Sequence, residues 1–159
     1  MIFVTVGAQM PFDRLIRAVD DWADSRQRRD VFAQIGPGAW KPRHIDWVEF
    51  LAPAEFRNRC EQADVLIAHA GMGSIITALE LAKPILVMPR RGDLRETRND
   101  HQVATATRFA EQGKLSVALD TDELAAALDR MAEAAAPSPI GPHASDGLLA
   151  GLREFVDAS

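Results

Sequence analysis

Six short apolar runs, separated by longer amphipathic stretches, restrict most tightly the folds open to this chain. The runs are Ile2–Val6, Val31–Ile35, Asp46–Phe50, Val65–His69, Ile85–Met88 and Leu115–Ala118. Several are apolar throughout rather than alternating, as strands buried on both faces must be. Between them, Phe12–Ala23, Ala54–Gln62, Ser74–Leu81 and Asn99–Gln112 have helical character, and Thr121–Ala135 follows with Thr121 as its expected N-cap. Strand and helix in alternation imply an α/β fold, a Rossmann-like parallel sheet flanked by helices. At 159 residues the chain is long enough to bury one sizeable core.

Three domain segments are expected. Residues 1–136 form the α/β unit. Residues 137–147 are a Pro/Gly-rich linker within "APSPIGPHASDG". Residues 148–159 form an amphipathic helix with Leu148, Leu149, Leu152, Phe155 and Val156 on one face. That face either packs back on its own domain or docks on a second protein.

Charge and composition exclude several function classes. A formal charge of −5 speaks against nucleic acid as a partner, because phosphate backbones need a basic face. The single cysteine, Cys60, allows no internal disulfide, fits a reducing compartment and reads as packing. No apolar run is long enough to span a membrane, and "MIFVTVGAQ" lacks the basic start and cleavage site of a secretory signal. The expected location is therefore cytoplasmic, with membrane contact only through a partner. His44, His69, His101 and His143 are scattered, no carboxylate pair has ligand spacing, and no metal is expected.

In open parallel sheets, ligands bind beyond the carboxyl ends of the strands, near the point where strand order reverses. After the first run, "GAQMPFDRLI" gives a tight turn at Gly7 and a polar Gln9 where a ligand would lie. The second run ends in "QIGPGAW", with Gln34 inside the strand end and Gly36 just past it. The fourth ends in "HAGMGS". There Gly71 and Gly73 let backbone N–H groups approach an anion, Ser74 caps the helix or donates its hydroxyl, and the helix start adds partial positive charge. A diphosphate suits that turn; a tight turn without a ligand is the other reading. His69 is either a hydrogen-bonded rim residue or a ligand contact.

The fifth run leads into "PRRGDLRETRNDHQ". Arg90, Arg91, Arg95 and Arg98 are either a solvated loop, tempered by Asp93 and Glu96, or cations that close on a diphosphate or an anionic sugar. Asn99 is a helix N-cap or, with Asp100, His101 and Gln102, part of a polar group facing the cleft. There is no Ser-His-Asp order and no G-x-G-x-x-G after the first run, so no nicotinamide or other cofactor is expected.

Taken together, "IFVTVGAQMPFDRLI", "ADVLIAHAGMGSIITALELAKPILVMPR" and "NDHQVATATRFAEQGKL" resemble the C-terminal, donor-binding domain of family 28 glycosyltransferases. The likeness is nearest to the small soluble subunits of two-component transferases. One type serves dolichol-linked N-acetylglucosaminyl transfer. The other is the bacterial exopolysaccharide type, as in glucuronosyl transfer, which "GSIITALELAKPILVMPRR" favours. The resemblance implies the C-terminal half of a GT-B fold. It also implies a UDP-sugar donor, with UDP-glucuronate attractive because the arginine loop offers its carboxylate a partner. A membrane-associated, acceptor-binding subunit would present a lipid-linked glycan. Transfer would invert the anomeric carbon without metal, the base coming from the partner chain and His69 a weaker candidate.

Carried over by position, the resemblance assigns Gly71, Gly73 and Ser74 to the phosphate turn, with His69 before it. It sets Asn99, His101 and Gln102 toward the donor sugar and phosphates, Gln34 and Gly36 near the nucleotide, and Phe50 and Leu51 beside the uracil. One departure is visible. The ribose-binding glutamate of the family falls on Thr77, and Glu80 follows nearly one turn later. Either Thr77 binds the ribose without a carboxylate, or Glu80 reaches round, or the ribose is recognised differently. The rival reading is a non-catalytic, nucleotide-sugar-binding regulatory or scaffold subunit; a sugar 2-epimerase would need both halves in one chain.

Overall fold

The computed structural model describes residues 1–8, 10–97, 101–113 and 115–133, with the backbone alone at His101. Gln9, Arg98, Asn99, Asp100, the linker 137–147 and the segment 148–159 lie outside the described residues. In chain order the elements are β1 (Ile2–Thr5), α1 (Asp13–Ser25), β2 (Val31–Gln34), β3 (Asp46–Val48), α2 (Pro53–Gln62) and β4 (Val65–His69). They continue with α3 (Met72–Glu80), β5 (Ile85–Met88), α4 (His101–Glu111), β6 (Ser116–Val117) and α5 (Thr121–Glu133).

All five strand pairings are parallel, in the order β3-β2-β1-β4-β5-β6. Val4 on β1 lies opposite Ala33 on β2 and Ile67 on β4. The chain builds outward from β1 first one way and then the other, so strand order reverses between β1 and β4. This is the Rossmann arrangement, and the crevice it leaves lies at the carboxyl ends of those two strands.

Alternation along each strand divides the core into two layers. Ile2 and Val4 of β1, Ile67 of β4 and Leu86 and Met88 of β5 face α1 and α5, against Leu15, Ile16, Val19, Leu124 and Leu128. Phe3, Leu66, Ala68, Ile85 and Val87 point the other way, onto Cys60, Ile75, Ala78, Leu79 and Phe109 of α2, α3 and α4. Buried faces on both sides explain why these strands are apolar throughout. Cys60 is buried, and that burial pushes its thiol pKa up to about 11, as an inert packing residue requires.

Four apolar runs outlast their strands. Val6, Ile35, Phe50 and Ala118 lie beyond the ends of β1, β2, β3 and β6, and Phe50 is 62% exposed. A short 3-10 turn at Gly92–Leu94, unheralded by periodicity, is closed by Arg95 in the left-handed region at φ 58°. The start of α5 also differs from expectation. Its cap is Asp120, whose Oδ1 accepts the Glu123 N–H at 2.8 Å, while Thr121 is already helical. Glu123 returns the bond, its Oε2 accepting the Leu119 N–H at 2.7 Å, a reciprocal arrangement akin to a capping box. Asp120→Ala should therefore lower stability by about 1 kcal/mol in urea denaturation, whereas Thr121→Ala should change it by only a few tenths.

Candidate functional site

At the reversal point, a recess of about 490 Å³ opens between the turns that follow β1, β4 and β5. Val6, Gly7, Ala8 and Met10 form one wall; His69, Gly71, Gly73 and Ser74 form the second; Arg90, Thr97 and Gln102 close the third.

The histidine organises the first two walls. Its ring stands at the end of β4, and both neighbouring glycines leave room for it. A Cβ on Gly7 would lie 2.9 Å from His69 Cε1, and one on Gly71 would lie 2.7 Å from the same atom and nearer still to Nε2. Gly7 also needs its φ of +82°, which side chains rarely adopt. Gly71 is in extended backbone at φ −84°, so space alone demands glycine there. Gly73 differs from both, for nothing would lie within 4 Å of a Cβ on it. That space belongs to the recess.

Beyond Gly71 the chain enters α3 with no side-chain cap. Ser74 is not the cap anticipated from sequence, because the helix begins two residues earlier, at Met72. The N–H of Ile75 bonds the Gly71 carbonyl at 3.2 Å. The N–H groups before it, of Met72, Gly73 and Ser74, belong to the open first turn and lack intrahelical acceptors. Together with the helix dipole they make the recess attractive to an anion.

The third wall rests on a buried arginine. Only 4% exposed, Arg90 donates from Nη1 to the Pro11 carbonyl at 2.8 Å, and from Nη2 to the carbonyls of Val6 and Met10, both at 2.9 Å. Its guanidinium carbon lies 4.8 Å from the centre of the Phe12 ring. Arg90 is thus neither a solvated loop residue nor a free cation; it latches the turn after β1 to the end of β5. Burial pushes its pKa down from the ordinary value, and Glu96 opposes the fall. The Arg90 N–H donates to Gln102 Oε1 at 3.1 Å, which ties α4 to the same point. Arg14, which the sequence did not single out, holds the loop from outside. It donates to both oxygens of Glu96 at 2.9 Å and to the Pro89 carbonyl at 3.2 Å.

The remaining candidates sit elsewhere. Gln34 is 3% exposed, and its Oε1 accepts the Thr5 hydroxyl at 2.8 Å. Thr5 Oγ1 in turn accepts the Gly7 N–H at 3.2 Å, so Gln34 acts on the recess through Thr5 rather than by contact. Gly36, at φ +83°, passes so close to Met10 that a Cβ would lie 3.3 Å from its carbonyl oxygen. Leu51 is buried in the core beside Phe3, while neighbouring Phe50 is exposed. The Thr77 hydroxyl bonds back to the Gly73 carbonyl at 2.9 Å, and Glu80 faces Arg57 at 3.4 Å. Neither lines the recess. Arg91 holds Asp93 through two bonds of 3.0 and 2.6 Å. Gln9 and Asn99 lie outside the described residues, as does the His101 side chain. Val6, Ala8, Met10 and Thr97 line the recess without having been anticipated; position at or after the end of the first strand was the only signal available for the first three.

Buried His69 Nδ1 has no hydrogen-bond partner among the described residues. Burial first, and then the positive charge of Arg90, push the His69 pKa down to about 4, against a smaller opposing effect from the Thr5 backbone. The ring is neutral at pH 7. Because the unfolded chain binds this proton more readily, stability should rise with pH from about 4 to 6.5, by up to about 3 kcal/mol, and be lost again on acidification. His69→Gln should flatten that part of the pH–stability curve. A methyl at position 71 should cost about 1–3 kcal/mol in the native sequence and far less in a His69→Ala background. Additive losses in this double-mutant cycle would show that the ring does not set the glycine requirement.

Among the described residues, the large apolar side chains that stand exposed are Met10, Phe50, Leu94 and Leu119. Each follows a strand, β1, β3, β5 or β6, so all four lie toward the carboxyl edge that carries the recess.

Comparison with known proteins agrees with this architecture. The family model for the glycosyltransferase family 28 C-terminal domain matches residues 1–139. The UDP-N-acetylglucosamine transferase subunit ALG13 of Eremothecium gossypii is 35% identical over 104 residues, which cover 64% of this chain and 49% of that one. The chain thus spans about half the length of this curated relative. An NMR structure of ALG13 superposes with a TM-score of 0.63 at 21% identity, covering 93% of each chain. The crystal structure of the kitacinnamycin glycotransferase gives 0.62 at 21% identity, with 99% of this chain matching 39% of the larger protein. The sheet is therefore the Rossmann-like half of a GT-B fold, and the chain belongs to the glycosyltransferase family 28 C-terminal domain family.

Proposed function

We propose that this chain is the donor-binding subunit of a two-part glycosyltransferase, and that its recess holds the diphosphate of a UDP-sugar. The observation that carries the reading is the open, uncapped start of α3 at the β1/β4 crevice, with unfilled space above Gly73. An anion fits there. The uridine nucleotide is suggested by the similarity to UDP-N-acetylglucosamine transferase subunits, which also makes UDP-N-acetylglucosamine the first donor to test. UDP-glucuronate ranks behind it, because the guanidinium of Arg90 is held by three carbonyls and that of Arg91 by Asp93.

In this scheme the chain stabilises the leaving diphosphate. N–H groups of α3 face the charge that develops as the glycosidic bond breaks, and Arg90 adds a fixed positive charge behind the wall. Attack by an acceptor hydroxyl from the opposite side inverts the anomeric carbon, and no metal is invoked. A ring with a pKa of about 4 is a poor base for that hydroxyl near neutral pH, so the base is assigned to the partner. The exposed Met10, Phe50, Leu94 and Leu119 support a second chain closing over this edge. That chain would be membrane-associated, would present a lipid-linked glycan at the cytoplasmic face, and would place the pair in surface-polysaccharide synthesis.

Titration of the isotope-labelled chain with UDP and its glucose, galactose, glucuronate and N-acetylglucosamine conjugates, followed by amide shifts, tests the reading. Shifts centred on Gly71, Gly73, Ser74 and Gln102 are expected, with UDP-N-acetylglucosamine the tightest. Gly73→Ala should separate fold from ligand. It should gain up to about 1 kcal/mol of stability from helix propensity. It should also lose about tenfold or more in UDP affinity, the scale of one charge-assisted hydrogen bond. Unchanged binding in this variant would remove the α3 turn from the account.

A further inference from the structure

The opposite edge of the sheet carries a second charged recess that the donor reading does not use. In a parallel sheet, the residues just before β2 and just before β3 meet at the amino edge, beside the last turn of α1. There Asp24, Gln27, Arg28, Arg29, Arg43 and His44 surround a concavity of about 350 Å³.

A buried carboxylate builds this place. Asp20 is 1% exposed, and its Oδ1 accepts the N–H of Arg43 at 3.2 Å and of His44 at 2.8 Å. The loop before β3 is thereby fixed against α1, and Arg43 and His44 line the recess from a set backbone. The end of α1 does not oppose a negative guest strongly, because its last carbonyls are engaged. Ala23 O accepts from Arg28, Trp22 O from Arg26, and Asp24 O from Gln27, at 2.8, 3.0 and 3.1 Å.

The cations are not equivalent. Arg28 is held by both oxygens of Asp30 at 2.8 Å. Asp24, the carboxylate on the recess wall, faces His44 Nδ1 at 3.5 Å. Arg29 and Arg43 are exposed, and their guanidinium groups have no hydrogen-bond or ion-pair acceptor among the described residues, although the chain as a whole is acidic. Two guanidinium forks in one concavity offer more donors than a carboxylate's two oxygens can use, and they match an anion with several acceptor oxygens.

We propose that the Arg29–Arg43 recess binds a phosphate group, either free phosphate or the headgroup of an anionic lipid. The site is independent of the donor recess and stands or falls separately from it.

Amide shifts of the full chain on titration with inorganic phosphate at constant ionic strength test the proposal, beside co-sedimentation with phosphatidylcholine vesicles with and without phosphatidic acid. Saturable shifts at Arg29, Arg43 and His44 are expected. Arg29→Gln/Arg43→Gln, which alters only exposed side chains, should weaken binding about tenfold or more while the shifts at Gly73 and Ser74 caused by UDP persist. Sedimentation that requires phosphatidic acid and is lost in the double variant assigns the phosphate to a lipid. Phosphate shifts without sedimentation assign it to a soluble ligand. Absence of both, shifts confined to the start of α3, or equal binding by the double variant overturns the proposal.

Discussion

The imidazole of His69, packed between Gly7 and Gly71, is the contact on which the candidate site depends. Parallel pairing of β1 with β4 brings their carboxyl ends together, but pairing alone does not set the distance between the turns that follow. The ring sets it. Its Cε1–Nε2 edge fills the space that a side chain at position 7 or at position 71 would take. Gly71, which the sequence assigns to the phosphate turn, and Gly7, which it assigns to a tight turn, are therefore required first by a histidine. Gly73, with no neighbour near it, is left for the ligand.

Around this contact, polar groups are spent on holding backbone. Gln34 orients Thr5, Thr5 receives the N–H of Gly7, and Arg90 gathers the carbonyls of Val6, Met10 and Pro11. Arg14 and Glu96 brace the loop after β5. Buried donors and acceptors paired in this way make a turn stiff, and a stiff turn presents N–H groups to an anion without reorganising. A neutral His69 fits the same logic: a charged ring beside the buried Arg90 guanidinium would add like-charge repulsion to a desolvation cost.

Much of this was legible in the residues. The apolar runs revealed the parallel sheet because strands covered on both sides have no polar face to show, and β4 and β5 have the expected bounds. Gly7, His69, Gly71, Gly73, Ser74, Arg90 and Gln102 meet in one recess because each follows or ends a strand near the reversal of order, a position readable once the strands are. Direction was not readable. Nothing in "QIGPGAW" says that Gln34 turns inward to Thr5, and nothing in "PRRGD" says that Arg90 turns toward the β1 loop while Arg91 turns to Asp93. Side-chain partners far apart in sequence decide those questions. The Thr77 hydroxyl, expected near a ribose, is instead satisfied one turn back on its own helix, a local choice common for threonine.

The most direct test of the central claim is a crystal structure of the chain with UDP. The diphosphate is expected within hydrogen-bond distance of the N–H groups of Gly73 and Ser74, in the space above Gly73, with His69 still seated between Gly7 and Gly71. A diphosphate bound away from α3, or a His69 ring displaced to admit it, would contradict the account.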